Sequence, residues 1–235
     1  MSEPARRFYQ GVSVIERDEG LCLALDQRVL KTPKGAMFRA PTRALADAMA
    51  LEWSAQGEKI MPSSMPLTQL AFAAIDWTRP AREERAQYVA SFGETDLCCH
   101  RAEGPPDLVA RQARVWDPLV AWASDTLDVN LPVVEGVVAA VLAPSELRKL
   151  KAHALLLDDF ALTGLSQAAG LAGSALTAFA LVHRKVSGAE AHGVATLDEE
   201  WSLQHWGEDA HARARLEGLR AEFDALGRFI GALSA

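Results

Sequence analysis

The sequence is poor in cysteine, with Cys22, Cys98 and Cys99 only. An odd, sparse set builds no disulfide framework, so a reducing compartment is expected. The adjacent pair Cys98-Cys99 lacks the two-residue gap of a redox or zinc motif and reads as two buried or half-buried, inert thiols. Positive charge is also in deficit. Lys and Arg number 24 against 31 Asp and Glu, a formal net charge of −7. A nucleic-acid binder needs a basic footprint, and this chain has none. No apolar run approaches the roughly 20 residues that cross a bilayer, so no membrane insertion is expected. The opening MSEPARRFYQ has no apolar h-region and no long Arg- and Ser-rich stretch. The expectation is a bacterial cytoplasmic protein, or a mitochondrial matrix chain whose transit peptide has been removed.

Catalytic signatures are missing too. There is no Walker loop, no G-x-G-x-x-G and no H-E-x-x-H. The nearest approach is Gly164-Leu165-Ser166-Gln167-Ala168. A nucleophile elbow needs Gly at its fifth position and a strand before it. Here the fifth residue is Ala and the flanks look helical, so Ser166 reads as a turn or helix-cap residue. A small serine hydrolase using Ser166 remains a distant alternative. His205 and Asp209 share a face if one helix carries both, but His211 points elsewhere. Zinc needs convergent ligands, so no metal site is expected. Asp158-Asp159 and Glu83-Glu84 read as solvated helix-end charges. No catalytic residue and no cofactor emerge.

What is present is an ordinary globular composition, 49% apolar and 23% charged, which excludes intrinsic disorder. The fold class read from it is α+β. Phe8 and the runs Gly11–Ile15, Leu21–Leu25, Arg28–Lys31 and Met37–Arg39 are β-compatible. Turns are expected at Arg17–Gly20, Asp26-Gln27 and Thr32–Gly35. Together they predict a small β-meander of about four strands, which needs a covering helix. That helix is expected over Arg43–Gln56, with Thr42 as N-cap, Gly57 beyond its end, and Leu45, Met49 and Trp53 on one face. EKIMPSSMP, residues 58–66, reads as a linker and sets the domains at 1–60 and 61–235.

Beyond it the pattern is helical. Helices are expected at 67–77, 80–92, 107–127, 145–158, 159–169, 173–185 and 196–233, the last broken near Gly207. Pro118 is expected to kink or divide the third of these. Leu131–Val134 reads as a short extended piece. Leu216, Leu219, Phe223, Leu226, Ile230 and Leu233 form a stripe that docks on the protein's own core.

One charge feature stands out. TLDEEWSLQHWGED, residues 196–209, holds Asp198, Glu199, Glu200, Glu208 and Asp209, no Lys or Arg, and both Trp201 and Trp206. Acids beside large aromatics suit an interaction surface, the rings supplying energy and the charges orientation. The plainer reading is an amphipathic helix with Leu197, Trp201 and Leu203 partly in the core and its acids in water, and the pattern alone leans that way.

Taken in order, several motifs resemble one family. They are FYQGVSV, LDQRVLKTPKG, LEWSAQGEKIMPSSMPLTQLAFAAID, ETDLCCHRA, RQARVWDPLVAWA and LDEEWSLQHWGED. The family is that of assembly chaperones for the α subunit of the F-type ATP synthase catalytic head, found in mitochondria and α-proteobacteria. The resemblance runs from Phe8 to Phe229. It implies a chaperone rather than an enzyme, and a monomer. Such a protein binds free α subunit, shields the surface that later meets β, and leaves when β arrives. It implies a β-rich N-terminal domain and a larger all-α orthogonal bundle. Two functional positions carry over: the Trp of the EW-x-x-Q motif falls on Trp53, and the critical acid eight residues before the Trp206-Gly207 pair falls on Asp198. Relatives commonly have Glu at that acid, so Glu199 or Glu200 is expected to share its role. A different oligomeric ATPase as client is the alternative.

Overall fold

The computed structural model describes residues 5–17, 20–136 and 141–234. β1 (Val12–Arg17), β2 (Gly20–Leu25) and β3 (Arg28–Val29) form an antiparallel sheet in that order. Val14 faces Leu23 across the first pair. The expected turn after β2 is real. Asp26 adopts φ 55, and its carboxylate accepts the backbone N–H groups of Gln10 and Gly11. Those two donations hold its carboxyl below the usual range. Asp18 and Glu19, central to the first expected turn, lie outside the described residues.

The meander stops at three strands. Met37–Arg39 makes isolated bridges only, Lys31 with Met37 and Leu21 with Ala40. The turn at Thr32–Gly35 is tight, with Gly35 at φ 86, and the segment after it crosses from Lys31 to Leu21, where Ala40 N donates to Leu21 O, so no continuous fourth ladder forms. Phe8 belongs to no strand and is exposed.

That helix is α1 (Arg43–Ser54). Thr42 Oγ1 accepts from Leu45 N at 3.1 Å, as the cap requires. The predicted face of Leu45, Met49 and Trp53 is buried. The helix ends at Ala55, short of Gly57. Gln56 turns back instead, its Oε1 accepting from Met61 N at 2.7 Å. The following segment is strapped down: Arg7 N donates to Glu58 O and Ile60 N to Ala5 O, both at 2.8 Å.

The helical part follows as α2 (Pro66–Ala73), a π turn (Ala74–Thr78), α3 (Arg82–Ser91), β4 (His100–Arg101), α4 (Pro106–Leu127), β5 (Val134–Glu135), α5 (Pro144–Leu156), α6 (Asp159–Ala172), α7 (Ala175–Val182), α8 (Gly188–Ala195), α9 (Leu197–Trp206) and α10 (Ala210–Leu233). The extended piece expected near Val134 is β5, which pairs in parallel with β4. Pro118 does not divide α4. Pro118 and Arg114 both lie on its exposed face, so the carbonyl that loses its donor meets water. Helix α8 is absent from the sequence reading because Gly188 and Gly193 dilute its pattern. Ser166 sits buried inside α6, neither in a turn nor at a cap, with helix rather than strand before it. Asp158 is an exposed charge at the N-cap of α6, as expected, whereas Asp159 is half-buried and pairs with Arg79 and Arg82. All three cysteines are buried and unpaired, and burial pushes the Cys98 thiol up to about 12.

Two apolar clusters result. One joins the sheet, α1 and α2 with Phe160, Phe229 and Ile230. The other joins α3 to α9 with Phe223 and Leu226. Helix α10 therefore serves both, one stretch of its stripe in each. Thr42 Oγ1, besides capping α1, donates to Ala232 O near the end of α10.

Candidate functional site

The 196–209 segment becomes a helix, a break and a second helix start. Leu197, Trp201 and Leu203 are the buried side of α9. Gly207 ends it at φ 104, a conformation that L side chains rarely adopt. Asp209 then caps α10 by accepting from His211 N at 2.8 Å and Ala212 N at 2.9 Å. The break expected near Gly207 thus falls there, and His205 and Asp209 do not share a helix.

The acids are not bare. Glu200 accepts from Arg213 Nη1 at 2.8 and 3.0 Å, and Glu208 from Arg213 Nη2 at 2.8 Å. Donation from Arg213 holds the Glu208 carboxyl below its usual range. Glu199 pairs with Arg215. Asp198 has a neutral side chain as its partner, Gln112 of α4, whose Nε2 donates to Oδ1 at 2.8 Å. Gln112 is almost fully buried, and its Oε1 accepts from Ala102 N at 2.8 Å, which fixes the amide orientation. Five acids against two arginines leave this corner negative.

The two tryptophans differ. Trp201 is 6% exposed and points inward, its Nε1 donating to Asp107 Oδ2 at 3.0 Å. His205 stacks on it at 3.9 Å with 19° between the planes. The Trp201 donation is the main reason that Asp107 stays below the usual carboxylate range. Trp206 is 82% exposed, so of the pair it alone offers a ring to a partner. Arg111 of α4 donates to Gln204 Oε1 at 2.8 Å and completes the seam between α4 and α9.

Trp53 lies elsewhere, in the sheet cluster rather than with Trp201. Its ring meets Tyr9 at 5.7 Å, and Tyr9 Oη donates to the Trp53 carbonyl at 2.7 Å. The structure thus brings Asp198, Glu199, Glu200, Trp206, Gly207, Glu208 and Asp209 to one corner, with Trp201 beneath it, and leaves Trp53 in the other core.

The profile of the ATP12 chaperone protein family matches residues 6–124. The chain belongs to this family. Its fold matches the crystal structure of Atp12 from Paracoccus denitrificans at a TM-score of 0.92, with 37% identity over 97% of this chain and 98% of that one. An Asp→Lys mutant of the Paracoccus protein matches at 0.92 and 36% identity, covering 97% of this chain and 98% of that one. A putative chaperone from Agrobacterium tumefaciens matches at 0.89 and 34%, covering 97% of this chain and 86% of that one. The mitochondrial protein atp12 of Schizosaccharomyces pombe is 23% identical over 88% of this chain and 76% of its own length. Family membership and fold class therefore agree with the resemblance read from the motifs. Asp107, Gln112, Arg213 and Arg215 are the members of the corner that sequence reasoning missed.

Proposed function

We propose that this ATP12-family chaperone assists ATP synthase assembly by binding the free α subunit of the catalytic head. It covers the surface that later meets β, and β displaces it. An unassembled subunit exposes an apolar patch rimmed by polar groups, which is prone to aggregate. The observation that carries the reading is Trp206, an almost fully exposed aromatic set by α9 beside a negative corner. Burying a Trp is worth on the order of 4–6 kcal/mol before the costs of association, from its area and about 25 cal/mol per Å². The residual charge of the corner, where Asp198 and Asp209 have no arginine partner, orients basic groups of the client. Trp53 serves by packing α1 on the sheet. The action is stoichiometric binding, not catalysis, and requires no cofactor, because competition by β suffices for release. No helix among the described residues is long and apolar enough to cross a membrane.

The test is whether the protein keeps isolated ATP synthase α subunit soluble, and whether α rather than β is retained on it. Retention of β alone, of neither, or of another oligomeric ATPase in preference would sink the reading.

A further inference from the structure

A second surface, far from α9 in the sequence, has its own chemistry. Phe8, Leu25, Arg28, Val29, Leu30, Lys31 and Trp53 enclose a cavity of about 520 Å³ between β3, the N-terminal segment and the end of α1. Its wall is apolar: Leu25, Leu30 and Trp53 are buried, and Val29 is half-buried. Phe8 is 60% exposed on this cavity, held edge-on to Tyr9 at 5.4 Å, instead of closing into the core. A large exposed ring beside an apolar hollow is unusual for a residue whose only task is packing.

Two further observations give the hollow a polarity. The side chains of Arg28 and Lys31 make no ion pair with the described residues, and that of Arg28 acts on Asp26 only through space. They belong to the first 60 residues, which carry 9 basic and 8 acidic groups, whereas the rest of the chain carries 15 and 23. Trp53, only 8% exposed, has a buried Nε1–H without an acceptor among the described residues.

We propose that this cavity docks a segment of a partner protein that carries a carboxylate beside a large apolar side chain. The apolar side chain fills the hollow against Phe8 and Trp53, and the carboxylate lies between Arg28 and Lys31. A second copy of this chain is the rival occupant that the test separates from a partner protein. The site is independent of the α9 corner and does not rest on the reading of that corner.

The probe is a fluorescein-labelled decapeptide of alternating Asp and Phe, titrated against the full chain by polarisation. Two controls replace Asp by Lys or Phe by Ser. The proposal expects both controls to bind at least tenfold more weakly. It expects the double charge reversal Arg28→Glu with Lys31→Glu to cost at least tenfold, at an unchanged unfolding midpoint. The Trp53 indole N–H resonance, assigned with Trp53→Phe, should shift on titration. Equal binding of all three peptides, or full binding by the double variant, would overturn the proposal. Concentration-dependent dimerisation abolished by the same double variant would overturn it in favour of a second copy. Asp198→Lys should bind this peptide as the parent does. Loss of α-subunit retention in that variant with intact peptide binding therefore separates the corner from this cavity.

Discussion

The Trp201 indole N–H donates to Asp107 across 94 positions of sequence, at 3.0 Å, and joins the start of α4 to the middle of α9. His205 closes the other side of the ring by stacking and also lies 3.3 Å from the same carboxylate. The exposed corner therefore stands on a buried ring. Trp201→Ala should cost about 3–5 kcal/mol, the usual range for deleting a buried aromatic. Trp201→Phe, which keeps an apolar ring but no donor, should cost clearly less. Denaturant unfolding of both variants measures this, and equal losses would mean that the ring's burial is not what matters.

The same contact has a pH signature. Asp107 is held below the usual carboxylate range, first by the Trp201 donation. Its unfolded value is about 3.9. A depressed folded pKa gives stability that is present above the unfolded value and lost as pH falls through the folded one. Asp107→Asn should therefore flatten the acid limb of the unfolding midpoint below about pH 4. The check is the difference between parent and variant across that limb. Parallel curves would show that Asp107 contributes nothing there.

Much of the architecture was legible because it rests on local signals. Thr42 caps α1 through Leu45 N three residues on, Leu45, Met49 and Trp53 recur every four residues on its face, and Asp26 directly follows β2 where the chain turns into β3. The α10 stripe was legible for the same reason, although Phe229, which is also buried, escaped it. Helix α8 was missed despite a readable cue, the capping box of Ser187 and Glu190. The candidate corner was half legible. The acids and tryptophans stand together in sequence, but their partners do not. Arg213 reaches Glu200 only after Gly207 has ended α9 and Asp209 has started α10, and Gln112 arrives from another helix. Charge counted along a window cannot see cations supplied from outside it.

Glycine separates two positions in that missed helix. A Cβ on Gly188 would lie 2.3 Å from the Phe223 carbonyl oxygen, so α8 and α10 touch through backbone. Gly193 has nothing within 4 Å of its Cβ position. Gly188→Ala should destabilise by about 1–3 kcal/mol, as overpacking does. Gly193→Ala should instead stabilise by about 0.5–1 kcal/mol through helix propensity. Thermal unfolding of the two single variants decides it, and like signs would refute the close approach.

Asp198 is the acid whose role can be separated from its packing. Gln112 is locked by Ala102 N–H, so it presents Nε2 to Asp198 whether or not a client is bound. Asp198→Asn keeps an oxygen for that donor and removes only the charge. Asp198→Lys reverses the charge and leaves Gln112 Nε2 facing a cation. If the negative corner steers basic groups of the α subunit, Asn should slow association about two- to fivefold, and Lys about tenfold or more, with the losses shrinking at high salt. If Asp198 matters only through Gln112, Asn should behave as the parent does at every ionic strength. Stopped-flow association with isolated α subunit at two salt concentrations, together with circular dichroism of each variant, distinguishes these cases. An Asp198→Lys protein that folds normally and captures α subunit at the parental rate would remove Asp198 from the site and leave Trp206 to carry it.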